Sequence, residues 1–305
     1  IWNSKANQEI EKWVRPNNCG LICKVIRVNI GVENVLSPDK NIDPNFVGWM
    51  IFLIGGKGLV GSGFSRYLKK KKIKYKIITR KNKKNFFGKH CDVLIDCNGN
   101  GSKRKANKNP FSDFSASVRS VVENLNKIKC KKYVYISTIY TYKNLRNRIS
   151  TVESKQSYKD KISPYGLNKR IAELYVKKLS NSYLIFRLPF IVGPGLKRNS
   201  VYDLTHFKKT YYTFNSQINW IHTDTIAKIV CNLLNRNVTN QTFNLASKNS
   251  ISIKKIMDLC KLKKSNIIKT RRTYEKTQIN CDKIKKYISL PNSINEAKKY
   301  ISEYI

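Results

Sequence analysis

The run Ile51-Phe52-Leu53-Ile54, followed by glycines at 55, 56, 58, 61 and 63 and then by a helical pattern through Leu68, constrains this chain more than any other stretch. A short apolar run fits a buried strand. Glycines let the backbone turn sharply into a helix whose N-terminal N–H groups and positive dipole end converge on one spot, suited to a pyrophosphate. Gly56, Gly58 and Gly61 fit G-x-G-x-x-G, while Gly55, Gly58 and Gly61 fit G-x-x-G-x-x-G. The glycines alone leave both dinucleotide cradles open, and with them a tight turn that binds nothing.

The segments that follow repeat the strand and helix alternation. Tyr75 to Thr79 reads as a second strand, and where a fold selecting NAD places an acidic residue at its end for the ribose 2′-hydroxyl, this chain continues Arg80-Lys81. A guanidinium at Arg80 suits a 2′-phosphate, so NADP is favoured, with NAD possible. Asp92 to Cys97 reads as a third strand running into Asn98-Gly99-Asn100-Gly101, a loop expected along the cofactor because ligands bind outside the carboxyl ends of parallel strands. Only 11 residues separate this strand from Arg80, too few for the usual crossover, so one strand of a full sheet is expected to be missing. Pro110 opens a crossover helix to 128, with Phe111, Phe114, Val118, Val121, Val122 and Leu125 at helical spacing. Lys132 to Thr138 is a further parallel-type strand. The alternation predicts an α/β fold, a Rossmann-type doubly wound parallel sheet.

Bulk properties narrow the class. At 305 residues and 41% hydrophobic, the chain can bury one substantial core, alone or with a small appended lobe. No run of 18 apolar residues and no basic-then-apolar leader pattern is present, so neither a membrane span nor secretion is expected, and a cytoplasmic enzyme is the default. The formal charge of +41 would suggest a polyanion partner, yet the lysines are scattered with Asn and Ile through every segment. That pattern reads as compositional bias of the surface, so no nucleic-acid partner is expected, although the field would attract a nucleotide-bearing substrate. The eight cysteines (Cys19, Cys23, Cys91, Cys97, Cys130, Cys231, Cys260, Cys281) form no paired C-x-x-C sets, and there are only three histidines. Zinc is not expected, and reduced thiols in a reducing compartment are.

Ser163-Pro164-Tyr165-Gly166-Leu167-Asn168-Lys169 opens another helix, on which Tyr165 and Lys169 stand four apart and share a face. A phenol is a poor base at neutral pH, and a nearby cation lowers its pKa by favouring phenolate. Thr138, at the carboxyl end of its strand, could hydrogen-bond the same substrate oxygen. The order of parts, from glycine cradle to Asn-Gly strand end, Ser-Thr strand end and Tyr-Lys helix, sets this apart from a solvated helix face.

Over about residues 50 to 300 the chain resembles the extended short-chain dehydrogenase/reductases, the nucleotide-sugar epimerase and dehydratase family. The resemblance is carried by IGGKGLVG, YVYISTIYTY, SPYGLNKRIAELYV, LIFRLPFIVGPG (184–195), INWIHTDTIAKIV (218–230), TFNLASKNSISIKKI (242–256) and the closing NCDKIKKYISLPNSINEAKKYI. It implies Tyr165 as catalytic acid or base, Lys169 on the nicotinamide ribose and Thr138 on the substrate oxygen. Cofactor contacts are then expected from Gly55, Gly58, Leu59, Val60, Gly61, Arg80, Asn98, Gly99, Lys169 and Pro189, and substrate contacts from Thr138, Tyr140, Arg187 and His222, the last being equally explicable as a structural histidine at a helix start. A nucleotide-sugar substrate, a homodimer and a small C-terminal α/β substrate lobe are implied as well.

Departures bound the carry-over. Ile139 and Tyr140 follow Thr138 where the dehydratases carry acidic residues, and Ser117 stands where members commonly carry Asn in the crossover helix. The expected organisation is an N-terminal extension, 1–49, with the cradle domain beginning at Met50; a cofactor domain, 50–187; and a substrate lobe, 188–305, interleaved with the last sheet strands. Ile22 to Ile30 could alternatively supply a strand of an N-terminal subdomain. The rival to an epimerase or reductase is a non-catalytic or RNA-binding member of the same fold.

Overall fold

The computed structural model describes residues 48–304, apart from Ser102, Tyr158, Lys269 and Arg271. The strand considered at Ile22 to Ile30, and all but the last two residues of the 1–49 extension, lie outside the described residues. Strand β1 (Ile51–Ile54) is buried at every position, as an unbroken apolar run requires when both faces of the strand are covered. It is followed by β2 (Tyr75–Ile78), β3 (His90–Asp96), β4 (Lys129–Thr138) and β5 (Tyr183–Leu188). Strands β6 (Phe190–Val192), β7 (Gln217–Ile218) and β8 (Trp220–His222) leave this sheet, and β9 (Gln241–Asn244) returns to it. The order is β2-β1-β3-β4-β5-β9, with every pairing parallel. Only a 3-10 turn, Lys83–Phe86, separates β2 from β3, so the edge strand that the short spacing rules out is indeed missing.

Helices cover both faces. The first is α1 (Leu59–Lys70); then come the short α2 (Lys103–Lys108) and α3 (Pro110–Phe114), α4 (Ser120–Lys127), α5 (Pro164–Leu179), α6 (Ser200–Phe207) and α7 (Thr223–Asn235). The two-residue alternation of β1 divides its side chains: Ile51 and Leu53 join one core with Phe64 and Leu68 of α1 and Val230 of α7, and Phe52 and Ile54 join the other with Val121 of α4 and Val176 of α5. A Cβ on Gly63 would come within 2.7 Å of Thr223, so glycine is what lets α1 and α7 meet. A third apolar cluster gathers Val201 and Leu204 of α6, Trp220, and Met257 of α8 (Ile253–Leu259) around β7 and β10 (Ile251–Ser252). Helices α9 (Asp282–Lys285) and α10 (Ser293–Tyr304) complete the described chain.

The crossover helix departs from its expected form. A π turn, Ser115–Arg119, separates α3 from α4 and offsets the inward face, because a π turn holds about one residue more than an α turn. Val118 and Val121 are buried as predicted, but Phe111 is 83% exposed, Phe114 is exposed too, and Asp113 is fully buried in their stead. Six cysteines, Cys91, Cys97, Cys130, Cys231, Cys260 and Cys281, are free thiols, and Cys19 and Cys23 lie outside the described residues. Among the described residues no helix is long and apolar enough to cross a membrane.

Candidate active site

The cradle resolves the ambiguity of the glycines. Gly55 takes a positive φ of 74°, and its carbonyl accepts the Gly58 N–H at 2.8 Å, closing the turn out of β1. A Cβ on Gly61 would stand 2.8 Å from Gly56 Cα and nearer still to the Gly55 carbonyl, all of it immovable backbone. The atoms nearest a Cβ on Gly56 would be side-chain atoms of Ile77 and Leu53, which can shift. The geometry therefore uses Gly55, Gly58 and Gly61, the G-x-x-G-x-x-G reading. Gly58 caps α1 without a side chain and the first turn holds no acidic residue, so the N–H groups around Leu59 and Val60 face an anion site unopposed. These residues fit a dinucleotide pyrophosphate.

The cradle touches the end of β3, since a Cβ on Gly55 would lie 3.1 Å from the Cys97 carbonyl. Next to it, the Asn98 N–H donates to Asp96 Oδ1 at 2.8 Å and the Asn98 amide to Ser120 Oγ at 2.8 Å, which fixes the loop. Gly99 has φ +124°, and a Cβ there would fall 2.9 Å from Lys169 Nζ. Lys169, buried on α5, donates to the Asn98 carbonyl at 3.2 Å and to the Ile136 carbonyl at 3.0 Å. Burial holds its ammonium below the ordinary lysine value, opposed by Asp96, Asp113, Cys97 and Glu173.

Ser163 caps α5, accepting the Gly166 N–H at 3.3 Å with Pro164 in the first turn, and this aims Tyr165 at the end of β4. Its phenol faces the Thr138 side chain. The nearby cation is expected to lower the phenol; instead burial pushes Tyr165 up to about 12, with the Thr138 hydroxyl opposing and Asp113 adding to the rise. The ammonium is turned toward the two carbonyls, and desolvation dominates. Tyr140 packs its ring edge-on to Tyr165 with centroids 6.2 Å apart, and Lys103 Nζ lies 3.8 Å from the Tyr140 ring centre. Beyond Tyr140 opens a cleft of about 280 Å³ lined by Lys103, Lys143, Arg146, Lys161 and Lys276 against one carboxylate, Glu275.

Two residues expected at the substrate are engaged elsewhere. Arg187 is wholly buried: Nε donates to Glu173 Oε1 at 3.0 Å, Nη2 to Glu173 Oε2 at 2.6 Å and Nη1 to the Tyr142 hydroxyl at 2.7 Å. It fastens β5 to α5, and its side chain has no exposure to solvent. His222 caps α7 through Nδ1, which accepts the Asp224 N–H at 3.2 Å, so its Nε2 proton goes to Glu303 at 3.1 Å. Asp224 in turn is held by Arg66 at 2.6 Å, so the close grouping of His222, Asp224 and Glu303 is an ion-paired helix terminus. Arg80 is exposed just past β2, and Pro189 is buried between β5 and β6. Sequence reasoning missed Asp113, buried against the Tyr165 and Lys169 helix, and Asn168 and Glu173, buried on it; Glu173, four residues beyond Lys169 on the same face, was the one with a readable spacing.

A family model for the NAD dependent epimerase/dehydratase family matches residues 51–246, from the first residue of β1 to just past β9. Among solved structures, the chain is similar to UDP-glucose 4-epimerase of Thermotoga maritima, solved with UDP-glucose, at 16% identity over 84% of this chain and 98% of that one, with a TM-score of 0.66. It is similar to dTDP-4-dehydrorhamnose reductase of Bacillus anthracis, solved with NADP, at 15% identity over 87% of this chain and 100% of that one, TM-score 0.67. A UDP-glucuronic acid 4-epimerase variant of Bacillus cereus, solved with a fluorinated UDP-sugar and NAD, matches at 16% identity over 84% and 100%, TM-score 0.65. No match was found among curated protein sequences. With the cradle, the parallel sheet and a family match over most of its described length, the chain belongs to the NAD-dependent epimerase/dehydratase family.

Proposed function

We propose that this protein is an NAD(P)-dependent epimerase or reductase acting on a nucleotide-sugar, with Tyr165 exchanging the proton of the reacting oxygen. The observation that carries the reading is Tyr165 facing Thr138 at the end of β4, beside a buried Lys169 whose ammonium reaches the end of β3, next to the cradle. The nicotinamide cofactor, when bound, supplies or accepts the hydride. Gly55, Gly58, Leu59, Val60 and Gly61 would hold its pyrophosphate, Arg80 a 2′-phosphate, Asn98, Gly99 and Pro189 its flank, and Lys169 its ribose; this favours NADP, with NAD accepted. Thr138 holds the substrate oxygen and Tyr165 takes or gives its proton, so the same pair serves a released product or a ketone reduced again on its other face.

The basic cleft beyond Tyr140 offers the phosphate-bearing substrate a complementary field; the cofactor domain, 50–187, lines most of it, and the substrate lobe, 188–305, adds Glu275 and Lys276. A homodimer would cover Leu167, Leu174, Tyr175 and Leu179, the exposed apolar stripe of α5. Replacing Tyr165→Phe is expected to cut turnover of a responsive UDP- or dTDP-sugar by about a hundred- to ten-thousand-fold while NADP binding stays unchanged. Unchanged turnover would sink the assignment.

A further inference from the structure

Asp113 has no exposure to solvent and stands where the helical pattern predicts an apolar stripe. It is the penultimate residue of α3, two positions before the π turn, a local form that recurs where a helix has to aim a functional group. Each carboxylate oxygen has one donor: Ser117 Oγ reaches Oδ1 at 3.2 Å and Asn168 Nδ2 reaches Oδ2 at 2.8 Å. Asn168 lies on α5 between Tyr165 and Lys169. Ser117 abuts Gly99 from the other wall, where a Cβ would come 3.3 Å from Ser117 Oγ and 2.9 Å from Lys169 Nζ.

Both donors are neutral, and an asparagine amide could satisfy both neighbours without the cost of burying a charge, its oxygen accepting from Asn168 and its NH2 donating to the Ser117 hydroxyl. What a carboxylate adds here is its field. Lys169 is also faced by Asp96 and Glu173 and by the Cys97 thiol. Tyr165 is faced by Thr138, by the Tyr135 and Tyr140 phenols and, behind Tyr140, by Lys103 and Glu275. Among these carboxylates Asp113 is the one hydrogen-bonded to Asn168, between the two members of the pair, and its charge raises the Tyr165 phenol and opposes the lowering of Lys169.

We propose that Asp113 is a positioning residue of this site: a negative charge built in behind Tyr165 and Lys169 that holds the lysine as ammonium and the phenol protonated. A protonated Tyr165 is the form that gives its proton to a substrate carbonyl oxygen, so Asp113 favours the reducing half of the reaction. The proposal rests on Tyr165 as the proton-exchanging group, yet its test can be read without turnover.

The test uses the full chain with 13C-labelled lysine, the Lys169 resonance being identified by its loss in Lys169→Met. In Asp113→Asn the Lys169 ammonium is expected to give up its proton at lower pH, its ionisation constant rising about tenfold. The Tyr165-dependent limb of the kcat/KM profile is expected to move the same way. If Asp113→Asn does not fold, Asp113→Ser keeps an acceptor for Asn168, removes the charge and should give the same displacement. A wild-type Lys169 titration in a folded variant, whether or not the melting temperature falls, would overturn the proposal. A displaced Lys169 titration together with a fully active Tyr165→Phe would leave it standing and remove the reading of Tyr165 instead.

Discussion

The buried ion pair between Arg187 and Glu173 separates two accounts of Arg187 by measurement. In Arg187→Leu, Glu173, 1% exposed, loses the Nε and Nη2 donors at 3.0 and 2.6 Å and keeps only the Ser137 hydroxyl at 2.5 Å. Removing one partner of a buried pair costs about 3–5 kcal/mol, because the remaining charge stays desolvated. Domains of this kind are stable by about 5–15 kcal/mol, so the variant should lose between a fifth of its stability and nearly all of it. In Arg187→Leu/Glu173→Leu the orphaned charge is gone, and most of the loss should return, giving a coupling energy of more than about 1 kcal/mol in the cycle. Equilibrium urea unfolding of the four proteins measures both quantities. An Arg187→Leu protein within about 0.5 kcal/mol of wild type but with a raised KM would refute this account and return Arg187 to the substrate.

Gly61→Ala should abolish measurable NADP binding by titration calorimetry, because its Cβ collides with the backbone of Gly55 and Gly56 and must deform the cradle. Retention of wild-type affinity would show that the turn is not the pyrophosphate site. Burial depresses the proton affinity of His222, with Lys299 assisting and Glu303 and Asp224 opposing. Its folded pKa thus lies below the value of about 6.5 it has when unfolded, the unfolded chain binds more protons there, and stability should fall as pH drops through that region. His222→Asn keeps a helix cap and should flatten this component of the melting temperature between about pH 7 and pH 5; an unaltered slope would count against it.

What could be read in the sequence was what short spacing fixes. Glycines three apart after an apolar run dictate a turn and a helix start, and Tyr165 and Lys169 four apart share a face wherever the helix packs. Even the missing edge strand followed from counting residues between Arg80 and Asp92. Arg187 and Asp113 needed information that spacing does not carry. On β5 the alternation of faces says that Arg187 points to one side, but only the packing of α5 supplies Glu173 to neutralise it there. At Asp113 the apolar pattern was followed straight through a π turn, which no periodicity rule anticipates, and the turn moved a phenylalanine outward and a carboxylate inward.

Helix α5 draws these observations into one physical statement. It buries Asn168, Lys169, Arg170 and Glu173 and exposes Leu167, Leu174, Tyr175 and Leu179, the reverse of an ordinary surface helix. Polar groups on the inner face are tolerable because other elements fix partners for them: Asp113 for Asn168, the Asn98 and Ile136 carbonyls for Lys169, the Thr141 and Ser157 carbonyls for the Arg170 terminal nitrogens, though not its Nε, and Ser137 with Arg187 for Glu173. The inner face therefore has one acceptable register, since sliding the helix by a residue would orphan several buried polar groups at once. That register is what carries Tyr165 to Thr138 and Lys169 to the end of β3. The cost of burying the network is thus tied to the precision of the site, while the outward leucines leave an apolar face exposed.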